Sequence, residues 1–230
     1  THLLIVTMFI SNLDISKRTA TFQLSGRLIA RLTFLLGLLW LSIGYGTTIQ
    51  KLNIDDVVMK AELVFEGEVL THEVRVDPSS NLINTFVTFL VVDVIKGSNQ
   101  IDTLELKFAG GTLNGETVRV NGLSIPQPGE QGIYFVESTS NELINPLVGW
   151  SQGHFVIKES EGKRMVYTTD LKPVVGIQSV SSIPLTIKRP NNILEENTAA
   201  AGILVGSEGQ RRRRPLQVNQ LKSEILEMIR

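Results

Sequence analysis

Three glycines fall within six residues in the stretch Phe108–Gly115, FAGGTLNG. A glycine loop holds phosphate when it leads into a helix whose first amides face the anion, and a P-loop also carries Gly-Lys-Ser/Thr. Here the loop leads into ETVRVNG, which is rich in strand formers and has no such lysine. Gly110, Gly111 and Gly115 therefore read as turn positions that need positive φ, and the loop as architecture. His72 and His154 are the only histidines after residue 46, too few for a zinc site of three or four converging ligands. The sequence has no cysteine, which removes disulfides, thiolate metal sites and a cysteine nucleophile together. Ser124 and Ser151 sit in no Gly-x-Ser-x-Gly elbow. Glu66, Glu68 and Glu73 lie along one segment and read as the solvated face of an alternating strand; nothing in their spacing identifies a glycosidase pair. No cofactor and no catalytic residue is expected. A recognition surface is expected at Thr47, Thr48, Gly110, Gly111, Trp150 and His154.

The elements that must carry these residues follow from periodicity. Asn53 reads as an N-cap and Asp56 favours the positive helix end, so Ile54–Ala61 is expected as a short helix with Ile54, Val57, Val58 and Ala61 on one face. In Glu62–Val76, Leu63, Phe65, Gly67 and Val69 alternate with Val64, Glu66, Glu68 and Leu70. Beyond Val69 the apolar parity flips, which predicts a bulge or sharp bend. Asp77–Asn81 is a turn. Ile83–Gly97 is a second long strand, with apolar residues on both faces. Thr103–Gly111 turns Leu104, Leu106 and Phe108 inward, and ETVRVNG and QGIYFVES supply two more strands. Pro146–Glu159 is a strand interrupted by Gly149 and Gly153, and Gly162–Thr169 hairpins back onto it. Six or seven evenly spaced strands with little helix between them predict a mainly β fold: a small antiparallel β-barrel or sandwich over residues 47–178. Ser179–Pro215 has no sustained period and reads as a flexible linker. Leu216–Arg230 reads as an amphipathic helix with Val218, Leu221, Ile225, Met228 and Ile229 in one stripe.

Arg27 and Arg31 precede an apolar run of 13 residues, Leu32–Gly44, followed by Gly46. A basic start, an apolar centre and small residues are the parts of a signal peptide, expected over 27–46 with cleavage near Gly46. The run is shorter than the roughly 20 apolar residues a membrane span needs; the alternative is a leader retained as an anchor. Residues 1–26, which begin with Thr, are expected to be a dispensable or mistranslated leader. The protein is thus expected to be secreted or periplasmic. Removing 1–46 takes four of the 22 basic residues and one of the 23 acidic ones, leaving a net charge of −4. That balance argues against nucleic acid as a partner. Arg211–Arg214 then reads as a solvated linker or protease-sensitive site, with an acidic lipid or polysaccharide as the weaker alternative.

The order of several short motifs resembles a family of small exported bacterial proteins that are largely uncharacterised. These motifs are Ala61-Glu62-Leu63-Val64 with Gly67 and Val69, a Thr85-led strand ending at Lys96-Gly97, and the pair Gly110-Gly111. Val120 and Gly122 follow, then the turn Pro126–Glu130, Tyr134-Phe135-Val136, and Gly149 with Gln152-Gly153. The likeness covers about Thr47–Phe155. The opening motif and the strand ending Lys-Gly also resemble the netrin-like module of metalloproteinase inhibitors, an OB-type barrel. That resemblance implies an OB-like or netrin-like barrel between two helices, and an exported protease as partner. In that module an N-terminal cysteine places its amine on the protease zinc; here Thr47 would have to serve. The expected function is an exported, non-enzymatic β module that binds another macromolecule. The alternatives are a cell-envelope polymer hydrolase with a carboxylate pair and a structural envelope protein.

Overall fold

The computed structural model describes residues 50–98, 102–179, 198–206 and 214–230. The expected leader and signal, with Thr47 and Thr48, lie outside these residues, as do Arg211–Arg213 of the arginine run.

Helix α1 spans Ile54–Lys60 and buries Ile54, Val57 and Val58, the expected face. Asn53 stands at the N-cap position, but its amide donates to the Asp56 carboxylate at 3.1 Å instead of capping the helix amides. Strands β1 (Leu63–Val76), β2 (Ile83–Lys96) and β3 (Thr103–Ala109) form a meander. A small hairpin follows, β4 (Gly111–Leu113) and β5 (Glu116–Val118), turned by Asn114 and Gly115 with φ of 50° and 87°. Those two positive values are what a two-residue hairpin turn requires, so Asn-Gly is the natural pair. Then come β6 (Gln131–Val136), β7 (His154–Ser160), β8 (Lys163–Thr168), β9 (Val174–Ile177), β10 (Ile203–Val205) and helix α2 (Val218–Ile229).

Six strands make one antiparallel sheet in the order β3-β2-β1-β6-β7-β8. The fold is therefore mainly β, with a helix at each end of the described chain. The sheet has two end strands, β3 and β8, and no ladder joins them among the described residues. The long β1–β2 ribbon bends through three register shifts. One skips Leu70, since Val69 pairs with Phe89 and Thr71 with Thr88, which is the bulge predicted by the parity flip.

Both faces of the sheet are covered. One face packs Phe65, Phe89, Phe108 and Tyr134, with Phe65 and Phe89 ring centroids 5.5 Å apart and Phe89 and Tyr134 4.8 Å apart. The other packs Val64, Phe135 and Phe155 beneath α1, α2 and the 199–203 segment. Of the apolar residues that β2 carries on both faces, Leu90 and Val92 are exposed.

Two expectations are revised in detail. The Pro146–Glu159 segment breaks before β7: Gly149 and Trp150 both have positive φ (58° and 62°) and a short 3-10 turn, Trp150–Gly153, loops out between Leu147 and His154, which both pair antiparallel with β6. A Cβ on Gly153 would lie 2.5 Å from the Val148 carbonyl oxygen, so only glycine fits that approach. Within the expected linker 179–215, residues 198–206 are part of the fold. Ala199 and Ala200 are buried, Ala201 bridges to Asn53, and β10 pairs with β9. Small alanines and a three-residue strand leave no period to read.

The Lys96 ammonium closes α1 from outside. It donates to the carbonyls of Val58 (2.8 Å), Met59 (3.1 Å) and Ala61 (2.6 Å), groups a helix end leaves without partners. Lys96→Met keeps the stem but loses these bonds, and should lower stability by about 2 kcal/mol in urea unfolding. Exposed Lys60→Met should cost less than about 0.5 kcal/mol. Equal costs would show that Lys96 does not fasten the helix.

Candidate functional site

Three polar clusters among the described residues centre on buried titratable side chains, His154, Glu66 and Asp77. At the first, His154 opens β7 and its side chain enters the aromatic face, 2% exposed. Its ring stacks on Tyr134, the cross-strand neighbour, with centroids 4.9 Å apart. Nε2 lies 2.8 Å from Glu130 Oε1, and the Tyr134 hydroxyl reaches the same oxygen at a long 3.4 Å. Burial, with the Glu130 carboxylate beside it, pushes the Tyr134 phenol far above its usual range, so it stays a neutral donor. With a carboxylate at Nε2, the proton belongs on that nitrogen. Nδ1 is buried with no hydrogen-bond partner. A Glu–His pair orients a general base in hydrolases, but the base must then meet a hydroxyl or thiol. No such group bonds Nδ1 here.

His72 serves the same loop. Its Nε2 contacts the Pro126 carbonyl oxygen, so both histidines fasten the Pro126–Glu130 turn. Glu130 N–H donates to Gln127 C=O at 2.9 Å, and Gly129 takes φ of 80°, as the third position of a type II turn demands. Gly129 N–H and Glu130 C=O also bond Val69 on the bulged strand.

The second cluster centres on Glu66, the fourth residue of β1 and 1% exposed. The expectation of a solvated face for Glu66 is overturned. Its carboxylate faces the helix side, where Lys222 of α2 sits against Oε2 and Arg164 of β8 against Oε1. Lys222 also reaches Asp93 at 2.8 Å. The cation that makes this burial tolerable lies 156 positions away in the chain, which alternation within one strand cannot reveal.

At the third, Asp77 closes the β1–β2 turn. Its carboxylate accepts from the Lys107 ammonium at 2.6 Å and from the Ser79 backbone N–H at 3.1 Å, and Lys107 also meets Glu142. The Lys107 bond, then the Ser79 amide, hold the Asp77 carboxyl well below the usual carboxylate range. Hydrogen bonds from Thr139 likewise lower Glu62. Burial raises Asp170, but bonds from Thr168, Thr198 and Lys172 outweigh it and leave the group lowered. A general acid at neutral pH needs the opposite displacement.

Of the expected recognition residues, Gly110, Gly111, Trp150 and His154 are among the described ones. Gly110 and Gly111, with φ of 92° and 140°, join β3 to the small hairpin. A Cβ on Gly110 would meet the Val118 carbonyl oxygen at 2.6 Å, and one on Gly111 the Thr85 hydroxyl at 2.7 Å. They are architectural, as their sequence context indicates. Trp150 is half-buried, and the His154 ring is withdrawn from the surface. Sequence reasoning missed Gln152. This buried side chain accepts from Leu52 N–H (2.7 Å) and donates to the carbonyls of Gln50 (2.9 Å) and Gly149 (3.1 Å), pinning the start of the described chain. Its place between Gly149 and Gly153 was the available signal. Among the described residues no group of three His, Asp or Glu side chains is placed to hold a metal ion, and no helix is long and apolar enough to cross a membrane. No protein-family model, curated protein or solved structure matches the chain.

Two outcomes follow from these charges. Lys222→Met leaves the Glu66 carboxylate with only Arg164, which is 45% exposed, and should lower stability by about 3 kcal/mol. Arg164→Ala should cost about 1 kcal/mol or less, both measured by chemical denaturation. The Asp77 carboxyl is lowered on folding, so its contribution is complete above the unfolded value near ~4 and is lost as pH falls toward the folded one. Asp77→Asn should therefore flatten the decline of stability below about pH 4; an unchanged acid profile would remove Asp77 from that role.

Proposed function

We propose that this chain is an exported, non-enzymatic β module, OB-like or netrin-like in its curled sheet, that binds another macromolecule, with an exported protease the favoured kind. The observation that carries this reading is the set of apolar side chains left exposed at the loops: Leu82 after the first turn, Val118 at the end of the small hairpin and Ile144 before β7. Beside Val118 runs an open cleft of about 400 Å³, with Leu123, Ile125 and Gln127 on its other wall. Apolar side chains rimmed by polar loops favour a protein partner over a small polar substrate. The bulged β1–β2 ribbon supports the barrel-like reading, because register shifts let strands turn the corners that such sheets need.

The hydrolase alternative is less well supported. Among the described residues, the carboxyls displaced from their ordinary range, Glu62, Asp77 and Asp170, are displaced downward, and the buried His154–Glu130 pair meets no hydroxyl at Nδ1. The test is affinity capture with the chain recovered after export, from culture medium in which it is made. Recovery of one protease in stoichiometric amount, lost with Val118→Asp, is the expected result. Absence of a stoichiometric partner, together with envelope-polymer cleavage abolished by a single Glu substitution, would overturn it.

A further inference from the structure

The two ends of the main sheet are treated differently. On β8 the chain covers its own edge: Val166 N–H donates to Leu216 C=O (2.9 Å), Thr168 N–H to Lys172 C=O (2.9 Å), and Met165 bridges to Gln217. On β3 it does not. Val91 N–H reaches Asp102 C=O and Gly110 N–H reaches Ile83 C=O, so the even-numbered positions turn their main-chain groups to β2. Ala109 N–H turns the other way and meets Ile144 C=O at 2.9 Å. By the same alternation, the N–H and C=O groups of Thr103, Glu105 and Lys107 face away from β2, and no main-chain partner meets them among the described residues.

A groove of about 220 Å³ lies along this strand, between Glu105–Lys107 and the Ser138–Leu143 loop. Edge strands are commonly guarded by a projecting lysine. Lys107 does not project, because Asp77 and Glu142 hold its ammonium on both sides. The groove walls carry Asp77, Glu105 and Glu142; Lys107 meets the first and last and Arg75 meets Glu105 at 2.8 Å, so three carboxylates face two cations and the charge left over is acidic.

We propose that the β3 edge is a docking site for an extended peptide segment with basic side chains at alternate positions, which adds to the sheet as a further strand. The inference rests on the binding-module reading above and names the chemistry of its partner. Outward main-chain groups from Thr103 to Lys107 give an antiparallel partner a ladder of about five residues, roughly 17 Å long. Every second side chain of the bound strand then faces Glu105 and Glu142. The ladder supplies affinity and the carboxylates supply the choice of sequence, which makes binding sensitive to salt.

The test uses the full chain and three blocked probes: a (Lys-Val)3 hexapeptide, its (Glu-Val)3 counterpart, and the lysine peptide N-methylated at every second residue. The expected result is binding of the first alone, weakened about tenfold or more by N-methylation, with slowed amide exchange at Glu105 and Lys107. Glu105→Pro removes one outward N–H, a change an edge strand accommodates, and should abolish binding. Should that variant not fold, the N-methylated probe on the unaltered chain still decides. No binding of the lysine peptide, equal binding of its N-methylated form, or unchanged exchange at Glu105 and Lys107 would each overturn the proposal. A protease captured equally well by Glu105→Pro would do the same while leaving the binding reading intact; only the loss of every stoichiometric partner counts against that reading itself.

Discussion

A carboxylate buried within a strand must be met by cations, and this constraint sets where the last helix goes. Glu66 lies on the helix-facing side of β1, the strand with neighbours on both edges and apolar layers on both faces. Taking such a group from water costs several kcal/mol unless opposite charge and hydrogen bonds replace the solvent. Lys222 and Arg164 supply that charge from α2 and β8, and Lys222 shares itself with Asp93 on β2. Leu221, one position earlier, drives the same helix into the apolar layer. Burial of Leu221 and Ile225 supplies the driving force. The ion pairs select the register in which α2 sits, since a turn of slippage would separate Lys222 from Glu66.

The short motifs that run along the chain have one physical theme. Lys96, before Gly97, holds the last carbonyls of α1; Gln152, between two glycines, pins the chain at Gln50–Leu52; Glu130, after Gly129, takes the buried His154. Each pairs a glycine that permits a tight backbone with a polar side chain that satisfies main-chain or ring groups across the fold. In the fold these three motifs tie backbone segments together.

Much of the scaffold was legible because it is local. The parity flip after Val69 located the bulge at Leu70, alternation placed Leu106 and Phe108 in the core, and the stripe from Val218 to Ile229 outlined α2. The misreadings are of contacts between distant segments. Glu66 looked solvated because a strand's own pattern says nothing about a helix 156 residues later. His154 was placed on a recognition surface because its stacking partner Tyr134 and its carboxylate Glu130, which hold it inside, come from another strand and a turn. Residues 198–206 looked featureless because alanines fill the core without marking a face. The candidate groove at β3 was invisible for the same reason, as its opposite wall comes from the loop after β6.

The dependence of Glu66 on Lys222 also orders events in time. Strand β1 precedes α2 in the chain and so leaves the ribosome first; until α2 docks, Glu66 lacks the ammonium that Lys222 brings to it. The apolar layer of Val64, Phe135 and Phe155 also stays uncovered on its α2 side over that interval, which makes the docking of α2 the step that closes this face of the sheet.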